Sequence, residues 1–123
     1  TYDNANLYTD FFLSEVIGFL EKNDDNFESA MLYMSDHGES LGENNLYLHG
    51  LPYFIAPDAQ KHVPVIMWFG ENFVNEINIE SLKGDIHNEY SHDNLFSTLL
   101  GIMEVETSLY DTTMDLIEHD DDD

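Results

Sequence analysis

Hydrophobic and polar positions along the chain predict an alternation of helices and strands. Between residues 4 and 22 the apolar side chains recur at helical spacing on one stripe, which predicts an amphipathic helix with Asp3 as its N-cap. Residues 30–34 form a short continuous apolar run, and a polar, glycine-containing stretch follows up to residue 50. We expect a strand that opens into a long loop. The helical stripe consists of Leu7, Phe11, Phe12, Val16, Phe19 and Leu20.

A second apolar run, residues 63–69, shows no alternation. Both faces of this strand should therefore be covered, as in a parallel or mixed sheet with helices on each side. Residues 71–90 are weakly periodic and predict only a short helix or turn. From residue 91 onward the helical spacing returns, with Ser91 or Asp93 as the cap, and residues 104–123 are expected to be a loosely packed end.

These elements indicate an α/β fold that is incomplete. Two strands of the buried type cannot form a sheet covered on both faces without neighbours, and the sequence offers no other convincing strand. A partner chain could supply the missing strands, but we favour a larger α/β domain, because open α/β sheets place their sites in loops that follow buried strands.

Charge narrows the classes of partner. The 123 residues include 26 Asp plus Glu against 3 Lys, for a formal net charge of −23. This balance argues against binding to nucleic acid or to anionic lipid, since both need clustered basic residues. The acidity fits a high-salt habitat, a cation-rich compartment or basic residues elsewhere in a longer protein, and its plainest interpretation is a solvated surface without a specific partner.

Composition and apolar segments limit the chemistry further. The chain contains no cysteine, which excludes disulfides and thiolate metal sites. No apolar segment reaches the roughly 20 residues needed to cross a bilayer, and the N-terminal residues show no export signal.

Candidate chemistry begins directly after the first strand. Asp36 and His37 offer a hard oxygen and an imidazole nitrogen, a pair suited to Zn²⁺ and less well to Mn²⁺. Neighbours on a regular strand point to opposite faces, so we expect Gly38 to supply the backbone freedom that brings both to one ion. His49 could fold back to a second metal or to a substrate oxygen. An Asx-turn with a solvated histidine is the alternative for Asp36 and His37.

Other polar groups have simpler interpretations. Glu39 and Glu43 could be general bases or partners of ligands, but in so acidic a chain we interpret them as exposed carboxylates. His92 and Asp93 suggest a second metal site, yet their position at a predicted helix start favours capping. The chain contains no nucleophile elbow, Walker loop or dinucleotide fingerprint. Spacing therefore yields half of a metal site and no complete catalytic constellation.

A longer motif indicates a family. Residues 35–50, SDHGESLGENNLYLHG, closely resemble the lipid A phosphoethanolamine transferases, a group that includes polymyxin-resistance enzymes within the alkaline phosphatase and sulfatase superfamily. The likeness continues through PYFIAP, HVP and YSHDNLF, and covers most of the chain. Bare Asp-His-Gly is shared across the superfamily, whereas the long motif is specific to the transferases.

The resemblance implies an inner-membrane protein with a periplasmic catalytic domain built as an α/β/α sandwich. In this family a zinc-bound threonine takes phosphoethanolamine from phosphatidylethanolamine and passes it to a lipid A phosphate. Asp36 and His37 would be ligands of that zinc, and His49 would contact substrate phosphate or an additional zinc. The nucleophilic threonine and a glutamate ligand would lie upstream, because no threonine of this chain stands in the nucleophile's context.

The likeness extends to about residue 110. The same resemblance therefore implies that residues 1–110 are the C-terminal portion of the catalytic domain and need its N-terminal part, with residues 111–123 as an acidic tail. With two clear ligands where a catalytic zinc usually has three, the chain alone should bind zinc weakly and have no transferase activity. Two rivals remain open. One is a sulfatase or phosphatase of the same superfamily, and the other is a non-catalytic acidic fragment.

Overall fold

The structure is a computed structural model that describes residues 1–84 and 86–117. In chain order the elements are α1 (Tyr2–Glu21), β1 (Ala30–Met34), β2 (Ser40–Leu41), β3 (Tyr47–Leu48), α2 (Asp58–Lys61), β4 (Val65–Phe69), α3 (Glu71–Val74), α4 (Ile79–Gly84) and α5 (Asn94–Ile102), with 3₁₀ turns at Glu43–Asn45 and Thr112–Met114. The mixed helix and strand content confirms the predicted α/β class. A search of the described helices for one long and apolar enough to cross a membrane finds none.

Helix α1 begins earlier than its polar residues suggest. Thr1 occupies the N-cap position, and Asp3 lies in the first turn, so the prediction of Asp3 as the cap was wrong. A carboxylate in the first turn still interacts favourably with the helix dipole. The predicted apolar stripe is only partly covered: Val16 is half-buried, whereas Phe11 is 58% exposed.

The first of two compact units comprises residues 1–30 and the described residues from 69 to 117. Its core contains Phe73 and Ile77, and the ring of Phe73 stacks on Phe69 with centroids 5.4 Å apart. The end of the chain adds Leu116 and Ile117, which are 8% and 3% exposed.

The segment after residue 110 packs tightly against α5. The backbone N–H of Leu116 donates to Thr98 Oγ1 at 3.0 Å, and Asn94 Nδ2 donates to the carbonyl of Met114 at 3.1 Å. The expectation of a loose end was therefore wrong for residues 111–117, because their apolar side chains complete the core beside α5. The rest of the predicted acidic tail, residues 118–123, lies outside the described residues, and the domain boundary at residue 110 stays a prediction.

The second unit, residues 31–68, holds most of β1 and β4, which pair in a two-stranded sheet. Its other sheet is a hairpin in which β2 and β3 pair antiparallel, with Ser40 opposite Leu48 and Leu41 opposite Tyr47. This hairpin lies inside the segment predicted as a long loop. Val65 and Ile66 of β4 are 38% and 40% exposed, so the described chain does not itself cover both faces of this strand.

Candidate metal centre

The hairpin places a carboxylate opposite a histidine. Because Ser40 pairs with Leu48, Glu39 and His49 are the next facing positions along the same register. Their side chains meet: Glu39 Oε1 lies 2.7 Å from His49 Nδ1. Sequence separation conceals this pair, since the two residues lie ten positions apart across the hairpin.

The turn of the hairpin requires left-handed backbone. Gly42 has φ 127°, and Asn44 and Asn45 follow with φ 54° and 60°. Glycine and asparagine adopt such angles at little cost. The Glu43 carboxylate closes the turn by accepting the backbone N–H of Leu41 at 2.8 Å. Hydrogen bonds from the backbone of Glu43 itself and of Leu41 lower the pKa of this carboxyl below its usual value.

The backbone on either side of His49 is also left-handed. Leu48 has φ 66° and Gly50 has φ 98°. For leucine this conformation is unfavourable and persists only where the surrounding structure enforces it. The ladder contact between Leu48 and Ser40 supplies that constraint, so the direction of His49 is set by the main chain.

Asp36 and His37 form a second pair at the end of β1. Asp36 Oδ1 accepts the backbone N–H of His37 at 3.0 Å, and Asp36 Oδ2 lies 3.7 Å from His37 Nε2. His37 Nδ1 lies 3.0 Å from the carbonyl oxygen of Gly38. A carbonyl can only accept, so Nδ1 carries the hydrogen and Nε2 presents its lone pair on the side of Asp36.

The two pairs meet through their imidazole rings. The rings of His37 and His49 lie 3.7 Å apart, centroid to centroid, with a 30° tilt between their planes. One donor atom each of His37, Glu39 and His49 fall within 4.8 Å of one another. Two imidazoles and a carboxylate are a donor set that divalent metals, zinc in particular, accept.

Among the residues predicted for the site, the structure brings His37 and His49 together and leaves Asp36 at the rim. The Asp36 side chain is 87% exposed and reaches only His37. Glu39, interpreted from the sequence as an exposed carboxylate, is instead 26% exposed and bonded to His49, so that interpretation was wrong. Its opposition to His49 follows from the hairpin register, which the two-residue strands do not reveal as a sequence pattern.

Gly38 lets the loop after β1 lie directly against α2. It is not among the residues with positive φ, and a Cβ at this position would overlap the carbonyl oxygen of Ala59 in α2. The Gly38 N–H donates to the carbonyl of Gln60 at 3.0 Å. The expected role of Gly38 as a source of unusual backbone angles was therefore wrong, since what the site needs is contact between the loop and α2.

A buried hydrogen bond joins α2 to the hairpin. Gln60 Nε2 donates to Ser40 Oγ at 2.9 Å, and these residues are 6% and 2% exposed. Buried polar contacts of this kind are costly to break, because each group would remain unpaired in an apolar setting. Together with the contact at Gly38, this bond fixes the base of the hairpin against α2.

The other predicted polar positions lie in the first unit. Asp93 occupies the N-cap position of α5, which confirms a helix start there, although its side chain makes no capping bond. Ser91 Oγ instead accepts the N–H of Asp93 at 3.2 Å. Thr98 is fully buried, and its hydroxyl donates to the Asn94 carbonyl at 2.9 Å.

Comparison with known proteins identifies the family. The sulfatase family model matches residues 1–105. The chain belongs to the sulfatase family. Within this family, phosphoethanolamine transferase EptA of Escherichia coli strain K12 is 46% identical over 121 residues, covering 96% of this chain and 22% of that protein. Phosphatidylethanolamine transferase Mcr-2 of Escherichia coli is 42% identical, covering 85% of this chain and 18% of that protein.

A solved structure of the same branch superposes closely. The integral membrane protein lipooligosaccharide phosphoethanolamine transferase A from Neisseria meningitidis matches with a TM-score of 0.89 and 49% identity, over 94% of this chain and 22% of that one. The resemblance to phosphoethanolamine transferases and the sulfatase-like fold are thus confirmed. The chain spans about a fifth of the length of these relatives.

Proposed function

We propose that this chain contributes part of the metal centre of a zinc-dependent phosphoethanolamine transferase. The whole enzyme would move phosphoethanolamine from phosphatidylethanolamine to a lipid A phosphate through a covalent threonine intermediate, with the threonine outside this chain. The observation that carries the proposal is the pairing of Asp36 and His37, whose donor atoms lie 3.7 Å apart, in a chain 46% identical to a phosphoethanolamine transferase.

The geometry of this pair suits zinc. Two ligands at about 2.0–2.1 Å from a tetrahedral ion lie about 3.3 Å apart, close to the separation of Asp36 Oδ2 and His37 Nε2. The bond from His37 Nδ1 to the Gly38 carbonyl fixes the tautomer that a metal requires at Nε2. A bound Zn²⁺ would supply Lewis-acid chemistry, which stabilises negative charge on oxygen.

His49 would act on the phosphate side of this centre. Its side chain is 47% exposed, and Nδ1 is engaged by Glu39, which leaves Nε2 as the reactive nitrogen. Nε2 would have to carry a proton during the reaction, and in that protonated form it would donate a hydrogen bond to a phosphoryl oxygen or pass the proton to the leaving group. Binding of an additional metal ion by His49, with His37 and Glu39 nearby, is the second role that the cluster allows.

The relatives support a proposal for where the enzyme acts. Since one relative is an integral membrane protein, we place the parent protein in the inner membrane with this segment on the periplasmic face, where both lipid substrates are accessible. The upstream part of the same domain would supply the threonine and the remaining ligands. The excess of acidic residues makes local positive charge at the metal centre necessary for attracting phosphate.

The test is His37→Ala in the full-length parent protein. We expect loss of the bound zinc, measured by metal analysis, and loss of headgroup transfer from phosphatidylethanolamine to lipid A. His87→Ala, at an exposed histidine of the first unit, is the matched control and should retain both. Full zinc occupancy and activity in His37→Ala would contradict the proposal, and hydrolysis of sulfate esters without headgroup transfer would assign the protein to the sulfatase alternative.

A further inference from the structure

The bond between Glu39 and His49 points to a residue that prepares the site. We propose that Glu39 is a positioning residue, which holds Nδ1–H of His49 and thereby directs Nε2 at the phosphate of the lipid headgroup. This inference rests on the proposed function, because it assigns Glu39 a role through His49 in the same reaction.

The distance between Glu39 and His49 shows whether the two side chains are hydrogen-bonded to each other or placed to bind the same metal ion. Glu39 Oε1 and His49 Nδ1 are 2.7 Å apart. Two ligands of one tetrahedral zinc would be about 3.3 Å apart, whereas charge-assisted N–H···O bonds span about 2.7–2.9 Å. In this arrangement, Glu39 is therefore bonded to the imidazole itself.

That bond selects one tautomer of His49. An ionised carboxylate has only acceptor sites, so Nδ1 must carry the hydrogen and Nε2 must carry the lone pair. A carboxylate in this position also fixes the plane of the ring. A ring held in this way presents Nε2 alone, which can bind a metal through its lone pair or, once protonated, donate a hydrogen bond to phosphate.

Neighbouring groups limit rotation of the ring. One face of the His49 ring lies against His37, at 3.7 Å between centroids. Its backbone is bent by the left-handed residues Leu48 and Gly50, and Glu39 is tied to the opposite strand of the hairpin. The ring face of His49 is held by His37, its Nδ1 edge by Glu39 and its main chain by the hairpin. Removing the Glu39 carboxylate therefore frees only rotation about the side-chain bonds of His49.

The experiment compares Glu39→Ala and Glu39→Gln in the full-length parent protein, with Glu43→Gln as the control. Glu43 is a carboxylate of the same hairpin that bonds to the Leu41 N–H and not to a histidine, and glutamine can keep that bond. Nitrogen-15 NMR of histidine-labelled protein, with the His49 signals assigned through His49→Gln, reports the tautomer without any need for turnover. Zinc content, kcat and KM for phosphatidylethanolamine are measured on the same samples.

For Glu39→Ala we expect a mixture of His49 tautomers, a fall in kcat of about 10–100-fold with little change in KM, and unchanged zinc content. Glu39→Gln should recover part of the single-tautomer signal and part of kcat, because its amide oxygen can accept from Nδ1–H. It also keeps the side-chain volume, so it tests the proposal even if the alanine variant fails to fold. Glu43→Gln should match the unsubstituted protein in both readouts.

Three results would overturn the inference. Loss of one equivalent of zinc in Glu39→Ala would make Glu39 a ligand, an unchanged His49 tautomer would remove its orienting role, and a rise in KM with unchanged kcat would make it a binding group. Failure of the proposed function is distinct: the unsubstituted protein would then show the single His49 tautomer and transfer no headgroup.

Discussion

The two histidines of the candidate centre differ in what holds their Nδ1 atoms. His37 donates to the backbone carbonyl of its neighbour Gly38, whereas His49 is held by the Glu39 side chain across the hairpin. A main-chain carbonyl survives any substitution at its own position, so the orientation of His37 is fixed by local folding. The orientation of His49 depends on the side chain of Glu39, which a substitution can remove. His49 is therefore the histidine whose orientation a single substitution can more easily disturb.

At the same scale, Tyr110 gives a prediction on pH. Its hydroxyl donates to Asp115 Oδ2 at 2.7 Å, and burial together with this carboxylate raises the pKa of Tyr110 from 10.0 to about 12. Its neutral form is therefore favoured by folding. The stabilisation is complete below pH 10, where Tyr110 is protonated in both states, and is lost as the pH rises towards 12.

We expect Tyr110→Phe to lower the free energy of unfolding by about 1 kcal/mol at pH 8 through loss of this hydrogen bond. The difference from the unsubstituted protein should shrink between pH 10 and 12. Urea unfolding at pH 8 and at pH 11.5 measures it. Tyr8→Phe, at an exposed tyrosine of α1, is the control and should change the free energy of unfolding little at either pH. A Tyr110→Phe difference that does not change with pH would contradict the prediction.

At the scale of elements, the short helix α2 supports the site although it contributes no ligand. The loop after β1 approaches α2 so closely that only glycine fits at position 38, and Gln60 reaches back to the buried Ser40. A shift of α2 would therefore move both the Asp36–His37 pair and the base of the hairpin.

Gly38→Ala tests this contact. Because the added Cβ would overlap the Ala59 backbone, either α2 or the loop must move, at a cost of about 1–3 kcal/mol. We also expect weaker zinc binding. Gly18→Ala is the control: nothing lies within 4 Å of a Cβ at this position inside α1, so alanine should stabilise the helix by about 0.5–1 kcal/mol. Denaturant unfolding and zinc titration of both variants measure these effects. If Gly38→Ala keeps the stability and the zinc affinity of the unsubstituted protein, position 38 does not approach α2 this closely.

The elements also show what the sequence can and cannot predict. Helices α1 and α5 and strands β1 and β4 are long enough to show a hydrophobic pattern, and the prediction located them. Strands β2 and β3 have two residues each, too few for any periodicity, and their pairing depends on left-handed angles at Asn44 and Asn45. The resemblance predicts roles for His37 and His49, and the structure brings their rings together, but Glu39 emerges only from the register of that hairpin.

At the scale of the whole molecule, the described chain leaves much apolar surface uncovered. Helix α1 has no buried residue, in spite of its apolar stripe. Leu7 and Phe19 of that stripe are 67% and 65% exposed. A contiguous stripe of exposed large apolar side chains usually marks an interface. If this chain is part of a longer transferase, as proposed above, the rest of that protein would supply the covering surface.

Phe11→Asp tests whether the parent protein covers the apolar face of α1. The loss of stability that this substitution causes should be small if the ring is exposed and large if it is buried. Phe11 is 58% exposed in this chain, and a substitution at a solvent-facing site normally changes stability by about 0.5 kcal/mol or less. If the parent protein buries the ring, the loss is at least about 3 kcal/mol, the usual cost of removing a buried phenylalanine side chain. We expect the larger loss in the parent protein, measured by denaturant unfolding.

Ser14→Asp, at an exposed polar position one turn further along α1, places the same residue in the same helix and should have little effect. Equal, small effects of both substitutions would mean that α1 faces solvent in the parent protein too.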